Sequence, residues 1–286
     1  MFVPQPYTLN IRGRLLDLSE PQVMGILNVT PDSFYEASRK VTAEDIRRRA
    51  EQIVAGGGTM IDVGACSSRP GAEAVTTAEE MRRLRMGVSA VREVAPEIPL
   101  SVDTFRADVA RMAVEELGAD IVNDISGGEL DKAMSVTVAR MGVPYVLMHM
   151  RGTPQTMQQQ TEYENVAVDV MRHFARKVQQ LRDLGQKDII IDPGYGFAKT
   201  LEQNYELLRQ QEELRVLGLP ILVGLSRKSM IYRLLDSSPE QSLNGTTVLN
   251  TIALTKGANI LRVHDVREAV ECVRLVKAIR TNEHHD

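Results

Sequence analysis

The segment VMGILNVT, residues 23–30, is an apolar run that ends in polar side chains, and seven later segments have the same form. They are MIDVGA (60–65), PLSVDT (99–104), IVNDIS (121–126), PYVLMHM (144–150), DIIIDPG (188–194), PILVGLS (220–226) and ILRVHD (260–265). Helix-length stretches separate most of them. Short apolar runs that alternate with helices are typical of buried parallel strands. Eight such units predict an α/β fold of the TIM-barrel type, a (β/α)₈ barrel, preceded by an N-terminal β-hairpin at residues 7–18.

The composition is typical of one globular domain. The 286 residues match the usual size of one such barrel, so we expect a single domain over 1–286. A net charge of −4 argues against nucleic acid and acidic membrane surfaces as partners. The first residues do not indicate a signal peptide, and no segment approaches the roughly 20 apolar residues of a membrane helix. Cys66 and Cys272 have no metal-type spacing, and we expect a cytoplasmic protein.

The polar residues that end the apolar runs are the candidate functional residues. In barrels of this kind the active site forms where the strands end, on the C-terminal face. We therefore expect one face of the molecule to bring together Asn28, Asp62, Asp103, Asn123, His149, Asp192, Lys228, Arg262 and His264.

Three of these residues are carboxylates. Asp62, Asp103 and Asp192 lie at or near the ends of the second, third and sixth runs. Like charges gathered in a barrel mouth repel one another and lose solvation, which favours a cationic or proton-donating ligand. Each alone also has a structural explanation, as a helix cap or as the partner of a loop arginine. Together with Asn123 they suit a heterocycle with ring N–H and exocyclic amine groups, because a carboxylate accepts two parallel N–H bonds.

The candidate cations follow strands two, seven and eight. Arg69 lies on the loop after the second run and Lys228 follows the seventh. Arg262 and His264 are two residues apart on the eighth run, which places both on one strand face. Loops after strands seven and eight often bind phosphate in this fold, and arginine and lysine match phosphoryl oxygens. The pattern indicates a phosphorylated ligand, while a single histidine such as His264 also fits a structural hydrogen bond.

Several familiar catalytic motifs are missing from the sequence. No H-E-x-x-H, G-x-x-x-x-G-K or G-x-G-x-x-G element occurs, which removes the zinc-protease, P-loop and Rossmann interpretations. Cys66 has no evident histidine partner, so we do not expect a thiol nucleophile. His149 stands between two methionines, and packing explains it nearly as well as function does.

The motifs resemble those of the dihydropteroate synthases. The matching segments run through every predicted strand in order: MGILNVTPDSF (24–34), IDVG (61–64), SRPGA (68–72), SVDT (101–104), VNDISGG (122–128), LMHM (147–150), IDPG (191–194), GF (196–197), GLSRKS (224–229) and RVHD (262–265). NVTPDSF and SRKS are the most specific of them. The resemblance implies a transferase of folate biosynthesis. In its reaction, 6-hydroxymethyl-7,8-dihydropterin diphosphate loses pyrophosphate, and the amine of 4-aminobenzoate attacks the exposed methylene carbon to give 7,8-dihydropteroate.

The resemblance also implies roles for single residues. The implied catalytic residues are Asp103, Asp192 and Lys228, and the implied pterin site consists of Asp103, Asn123, Met148, Asp192, Phe197, Gly224, Lys228 and Arg262. The implied diphosphate site consists of Asn28, Ser68, Arg69, Arg262 and His264, with Asn28 as the ligand of a Mg²⁺ cofactor. The implied aminobenzoate site, where family members also bind sulfonamides, consists of Phe34, Ser68, Arg69, Pro70, Phe197, Lys228 and Ser229. The family further implies a homodimer.

The sequence departs from the family pattern in three loops. DSFYEASRK (32–40) lacks the glycines usual in the first loop. In the second loop Cys66 stands where glutamate is usual and Ser68 where threonine is usual, and Ala198 stands where glycine is frequent. We expect these changes to affect loop movement and sulfonamide affinity more than the reaction.

Two other functions remain open from the sequence. One is a barrel that passes a methyl group from a methyl-folate to a corrinoid partner, and the other is a catalytically silent pterin-binding protein. Both would share the Asp and Asn residues that bind the edge of the pterin. The methyl carrier has no need of NVTPDSF, SRKS or a diphosphate site, and the intact Asn28, Arg69, Lys228 and His264 argue against a silent protein. Release of pyrophosphate from a pterin diphosphate distinguishes the synthase from both.

Overall fold

The computed structural model describes residues 6–30, 42–66 and 75–281. Its strands are β1 (Thr8–Ile11), β2 (Arg14–Asp17), β3 (Gln22–Asn28), β4 (Met60–Gly64), β5 (Leu100–Asp103), β6 (Ile121–Asp124), β7 (Tyr145–Met148), β8 (Ile189–Asp192), β9 (Leu222–Val223) and β10 (Ile260–Val263). Its α-helices are α1 (Ala43–Ala55), α2 (Thr77–Val94), α3 (Ala107–Glu115), α4 (Met134–Met141), α5 (Val166–Asp183), α6 (Leu201–Arg209), α7 (Ser229–Leu234), α8 (Leu243–Thr255) and α9 (Val266–Thr281). Two 3₁₀ segments cover Met157–Gln159 and Gln211–Leu217.

Strands β3 to β10 form one parallel barrel. Their order is β8-β7-β6-β5-β4-β3-β10-β9, and a parallel bridge between Ile191 and Ile221 joins the two ends of the sheet. The bridge is supported by a hydrogen bond of 3.0 Å from the backbone N–H of Ile191 to the carbonyl oxygen of Pro220. Each of the eight predicted apolar runs overlaps one of these strands. The predicted (β/α)₈ fold is therefore confirmed.

The N-terminal hairpin closes the end of the barrel opposite to the polar strand ends. Strands β1 and β2 pair antiparallel, and the turn between them uses Arg12 and Gly13, both at positive φ. The hairpin buries Leu9, Ile11 and Leu18 against the first interior layer of the barrel, which consists of Met24, Met60, Ile121, Val146, Ile190, Leu222 and Ile260. This apolar plug leaves the C-terminal ends of the strands as the open mouth, and the predicted hairpin is confirmed.

The helices pack against the outer face of the barrel. Thr42 caps the start of helix α1, where a capping box pairs it with Asp45. Helix α6 ends at Arg209 and is followed by the 3₁₀ segment Gln211–Leu217. Helix α7 was not predicted, because its six residues, SMIYRL, are too short to show a helical period. Among the described residues, no helix is long and apolar enough to cross a membrane.

Candidate active site

A cavity of about 780 Å³ opens at the C-terminal mouth of the barrel. Of the predicted residues within the described ranges, all but Asp62 and His149 line it: Asn28, Asp103, Asn123, Met148, Asp192, Phe197, Gly224, Lys228, Ser229, Arg262 and His264. These residues end or follow seven of the eight barrel strands. The predicted residues Phe34, Ser68, Arg69 and Pro70, together with the sequence departure at 35–38, lie outside the described residues.

Arg262 joins two of the carboxylates on the cavity floor. Its Nε donates to Oδ2 of Asp62 at 2.6 Å, and its Nη2 donates to Oδ2 of Asp103 at 2.8 Å. The same Oδ2 of Asp62 accepts a hydrogen bond of 3.0 Å from the amide of Asn123. Burial opposes the charge of Arg262, but the two carboxylates raise its pKa above the usual value. The repulsion expected among the carboxylates is thus reduced by a protein cation.

Asp62 does not reach the cavity, contrary to expectation. It is fully buried beneath Arg262, and its Oδ1 makes no hydrogen bond in the described structure. On β4, Met60 and Asp62 share the interior face of the barrel, with Met60 in the hairpin-side layer. Asp62 therefore lies one layer deeper than the ligand-facing groups, where it orients Arg262 and Asn123.

Burial perturbs the pKa of both carboxylates that line the cavity, Asp103 and Asp192. Burial raises the pKa of Asp103, and the neighbouring carboxylate of Asp62 adds to the rise while Arg262 opposes it. Burial also raises the pKa of Asp192, and a hydrogen bond of 2.8 Å from the backbone N–H of Gly194 to Oδ1 opposes that rise. Carboxylates in such dry surroundings bind N–H donors strongly, because water competes little for them.

Lys228 projects a cation across the same cavity. Its Nζ lies 4.1 Å from the centroid of the Phe197 ring, which is a cation–π contact. Burial lowers the pKa of Lys228 to about 8, and the charge of Asp192 opposes this shift. Gly196 packs so closely that a Cβ there would lie 3.2 Å from Cδ of Lys228. The lysine is therefore enclosed by the loop that follows β8.

His264 stands at the edge of the cavity as a neutral imidazole. Its Nδ1 lies 3.1 Å from Oγ of Ser226, which leaves Nε2 for a ligand. Burial lowers its pKa to about 4, and the nearby charge of Arg262 lowers it further. The backbone carbonyl of His264 accepts a hydrogen bond of 2.6 Å from Arg49 of α1. His264 is thus rigidly held and can donate or accept a hydrogen bond without carrying charge.

His149 faces away from the candidate active site, which corrects the expectation for this residue. Met148 lines the main cavity, so the next residue on the strand points to the opposite side. His149 instead contacts His173 of α5, with ring centroids 4.9 Å apart, and a second cavity. Burial lowers its pKa well below 6.5. Its Nδ1 lies 3.1 Å from Nζ of Lys199, a buried lysine that the sequence reasoning missed.

Cys66 lines the cavity as a protonated thiol. Burial raises its pKa to about 12, and the charge of Glu80 adds to the shift. Its Sγ lies 3.9 Å from Nη1 of Arg106, which also pairs with Glu80. A thiol with so high a pKa is a poor nucleophile at neutral pH.

Asn28 contributes a side-chain amide to the lining of the cavity. Within the described ranges no group of three or more His, Cys, Asp and Glu side chains is placed to hold a metal ion. Mg²⁺, however, commonly takes one or two protein oxygens and completes its shell with water and substrate phosphates. Asn28 ends β3 beside Gly64, at which a Cβ would come within 3.2 Å of its Oδ1. The glycine therefore leaves room around an amide oxygen at the cavity edge.

The cavity offers two kinds of polar group. Asp103, Asn123 and Asp192 present oxygens to a ligand rich in N–H groups. Lys228, Arg262 and His264 present donors to an anionic or carbonyl-bearing ligand. Such a site can bind a heterocycle and stabilise a negative charge that develops on it.

Comparison with known proteins identifies the family. Residues 24–264 match the family model described as "Pterin binding enzyme". The dihydropteroate synthase of Escherichia coli K12 is 42% identical over 269 residues, which cover 93% of this chain and 94% of that protein. The synthase of Synechocystis sp. (strain ATCC 27184 / PCC 6803 / Kazusa) is 44% identical over 260 residues, covering 90% of this chain and 89% of that protein.

Solved structures that resemble this chain lead to the same family. A Yersinia pestis dihydropteroate synthase in a sulfonamide drug complex superimposes with a TM-score of 0.90 at 40% identity, covering 96% of this chain and 100% of that one. A Xanthomonas albilineans dihydropteroate synthase with 4-aminobenzoic acid gives 0.89 at 36% identity, covering 96% and 99%. With the family model, the two curated relatives and these structures in agreement over nearly its whole length, this chain belongs to the dihydropteroate synthase family of pterin-binding enzymes.

Proposed function

We propose that this protein condenses 6-hydroxymethyl-7,8-dihydropterin diphosphate with 4-aminobenzoate to give 7,8-dihydropteroate and pyrophosphate. The observation that carries the proposal is the convergence of Asp103, Asp192 and Lys228 in one cavity at the barrel mouth. These acceptors and this donor match the hydrogen-bonding edge of a pterin. The Xanthomonas albilineans relative, solved with 7,8-dihydropteroate, supports the same assignment.

The pterin is held by its amino-pyrimidinone edge. Asp103, Asn123 and Asp192 accept from its ring N–H and amine groups, while Lys228 donates to its carbonyl or ring nitrogen. Met148, Phe197 and Gly224 form the apolar walls of the slot, and Arg262 lies against the ring. Arg262 can keep this position because Asp62 and Asp103 hold its guanidinium in place.

The diphosphate lies toward Asn28 and His264. Asn28 would hold Mg²⁺ through its amide oxygen, and the ion would supply positive charge to the diphosphate oxygens. Ser68, Arg69, Arg262 and His264 complete the anion site. Neutral His264 donates a hydrogen bond from Nε2 when its proton lies on that nitrogen, and the ordering by Ser226 favours a fixed ring orientation.

The arylamine binds on the far side of the methylene carbon. Phe34, Ser68, Arg69, Pro70, Phe197, Lys228 and Ser229 form this aminobenzoate site. The carbon–oxygen bond to diphosphate breaks, and its electron pair leaves with pyrophosphate. The amine lone pair then forms the new carbon–nitrogen bond, and one amine proton passes to solvent. Asp103 and Asp192 stabilise the cationic pterin methylene, so no covalent enzyme intermediate is needed.

The protein acts as a homodimer in the cytoplasm. Large apolar side chains are exposed on the last helices: Leu234, Leu235, Val248, Leu275 and Ile279. Such residues on neighbouring helices suit an interface between two copies. Light scattering during gel filtration should give about twice the chain mass of 31.8 kDa. The free thiols Cys66 and Cys272 fit a reducing compartment.

An assay that measures both products tests the reaction. Purified protein is incubated with the pterin diphosphate, 4-aminobenzoate and Mg²⁺, and both pyrophosphate and dihydropteroate are measured. We expect the two products in equal amounts and little pyrophosphate when 4-aminobenzoate is omitted. A methyl carrier or a silent pterin-binding protein would release no pyrophosphate, and pyrophosphate without dihydropteroate would also contradict the proposal.

A further inference from the structure

Lys199 is a buried lysine with no place in the reaction described above. Burial lowers its pKa to about 7, and the charge of Asp192 opposes this shift. Only 3% of the residue is exposed, and it does not line the cavity. Its Nζ lies 3.0 Å from the carbonyl oxygens of Gly194 and Phe197 and 3.1 Å from Nδ1 of His149. An ammonium group has three protons, and these three contacts use all of them. The residue therefore acts on its neighbours and leaves no donor for a substrate.

The neighbour that Lys199 organises is the loop between β8 and α6. Three of its residues alternate in the left-handed region, Gly194 at φ 69°, Gly196 at φ 81° and Ala198 at φ 49°. This backbone path brings two carbonyl oxygens of the loop to one ammonium. Left-handed Ala198 is an unfavourable conformation that persists only when surrounding contacts hold it. The ammonium binds the carbonyl oxygens of both Gly194 and Phe197. The turn is also held by a backbone hydrogen bond of 3.1 Å from Phe197 to Gly194, and Gly196 donates to Oδ1 of Asn204 at 2.6 Å.

The same loop forms the wall of the active site beside Lys228. Phe197 places its ring centroid 4.1 Å from Nζ of Lys228, and Gly196 packs against the stem of that lysine. The loop also begins at Gly194, whose N–H binds Asp192. A displacement of the loop would therefore move Phe197 and disturb two charged groups of the cavity.

His149 supplies the third anchor, with its Nδ1 at 3.1 Å from Nζ of Lys199. Its Nδ1 can accept from an ammonium only in the neutral tautomer that carries the proton on Nε2. The lowered pKa of this buried ring agrees with a neutral imidazole. His149 thus links Lys199 to the end of β7, so the loop is tied to the barrel itself.

We propose that Lys199 is a positioning residue. Its ammonium holds the 194–198 loop in place and thereby keeps Phe197 in contact with Lys228. Its meaning for catalysis rests on the proposed function, while the placement of Phe197 is a property of the protein alone. Two readouts therefore test it, one of activity and one of structure.

The activity readout is a double-mutant cycle. Lys199→Met should lower kcat/KM for 4-aminobenzoate about tenfold, in keeping with the loss of charge-assisted hydrogen bonds. In a Phe197→Ala background the same change should lower it less than about twofold, because coupled residues are not additive. Lys199→Gln keeps two donors for the carbonyls and should recover part of the loss. The matched control is Lys177→Met, which removes another buried lysine, on α5. The Nζ of Lys177 pairs with Glu129 at 2.7 Å.

The structural readout is the NMR shift of the Lys228 ε-methylene protons in protein with labelled lysine. The nearby Phe197 ring should shift these protons upfield in the wild type and in Lys177→Met. The shift should disappear in Phe197→Ala and in Lys199→Met. If Lys199→Met does not fold, Lys199→Gln is compared with Lys177→Gln in both measurements, with a reduced effect expected.

Equal losses of kcat/KM in both backgrounds, or an unchanged Lys228 shift in Lys199→Met, would overturn the positioning role. A wild-type protein that releases no pyrophosphate would instead overturn the proposed function. In that case the Lys228 shift alone decides whether Lys199 positions the loop.

Discussion

Arg262 donates from Nε to Oδ2 of Asp62 across 2.6 Å, a contact that joins the last strand of the barrel to β4. Asp62 is completely buried and cannot contact a ligand itself. The pair therefore sets the direction in which the remaining guanidinium nitrogens point, and Nη2 reaches Asp103. Arg262 is thus held between a buried carboxylate and a carboxylate that lines the cavity.

Asp103→Asn should lower kcat about 100- to 1,000-fold, since removal of one preorganised electrostatic group costs about 3 kcal/mol of barrier. The amide replaces one acceptor atom by a donor, which opposes the N–H groups of the pterin. Steady-state pyrophosphate release measures the loss. Asp108→Asn is the matched control, because Asp108 is exposed on α3 and pairs only with Arg111 among the described residues. A kcat close to that of the wild type would contradict the role of Asp103.

Asn28→Ala should raise the Mg²⁺ concentration needed for half-maximal activity at least about tenfold, as loss of even an outer-shell partner does at metal sites. The change removes the amide oxygen at the cavity edge and leaves the pterin-binding carboxylates intact. A Mg²⁺ titration of pyrophosphate release measures it, with the exposed Asn244→Ala as the control. An unchanged Mg²⁺ requirement would show that the metal binds elsewhere.

Lys228→Met should abolish most activity and yet stabilise the protein at pH 7. The folded pKa of Lys228, about 8, lies below its usual 10.5, so the unfolded chain binds the proton more tightly. Stability from this group is present above about pH 10.5 and is lost as the pH falls through about 8. The variant has no charge to bury, so its free energy of unfolding at pH 7 should be higher than that of the wild type by about 1–3 kcal/mol.

Urea denaturation at pH 7 and at pH 10 measures this gain, which should shrink at the higher pH. Lys132→Met serves as the control because Lys132 is exposed, and it should change stability little at either pH. A loss of stability at pH 7 in Lys228→Met would mean that the contact with Phe197 outweighs the cost of burying the charge.

Gly194→Ala should destabilise the protein more than Gly118→Ala does. Both glycines have left-handed backbones, with φ of 69° and 68°, so an alanine meets similar strain of about 1–2 kcal/mol at each. At Gly194 the new Cβ would also overlap the carbonyl oxygen of His149, whereas at Gly118 nothing lies within 4 Å. Urea denaturation gives the loss of unfolding free energy in each variant, and the difference between the two losses is the cost of the overlap. Equal losses would contradict the prediction.

The strands were predictable because burial on both faces leaves a strong and local signal. Each apolar run ends in a polar residue at the barrel mouth, and parallel strands end on the same side. The direction of a side chain at the strand end was harder to predict. His149 and Met148 are adjacent, yet only Met148 faces the cavity, because successive side chains alternate.

The depth of Asp62 and the role of Lys199 were not predictable from the sequence pattern. The side chain of Asp62 points into the barrel as expected, but it lies one layer below the mouth. Arg262, 200 positions later in the chain, covers it, and the sequence pattern does not show such a distant contact. Lys199 stands directly before the helix cap Thr200, where a lysine is usually solvated. Its burial follows from the folding of the preceding loop over it.

The plugged lower end of the barrel has a consequence for synthesis of the chain. Asn259 donates a hydrogen bond to the carbonyl of Leu18, 241 positions earlier, and the strand that follows it pairs with β3. The ribosome must therefore release almost all of the polypeptide before the cylinder can shut. Until then the nascent protein carries open parallel edges, which are prone to pair with other chains.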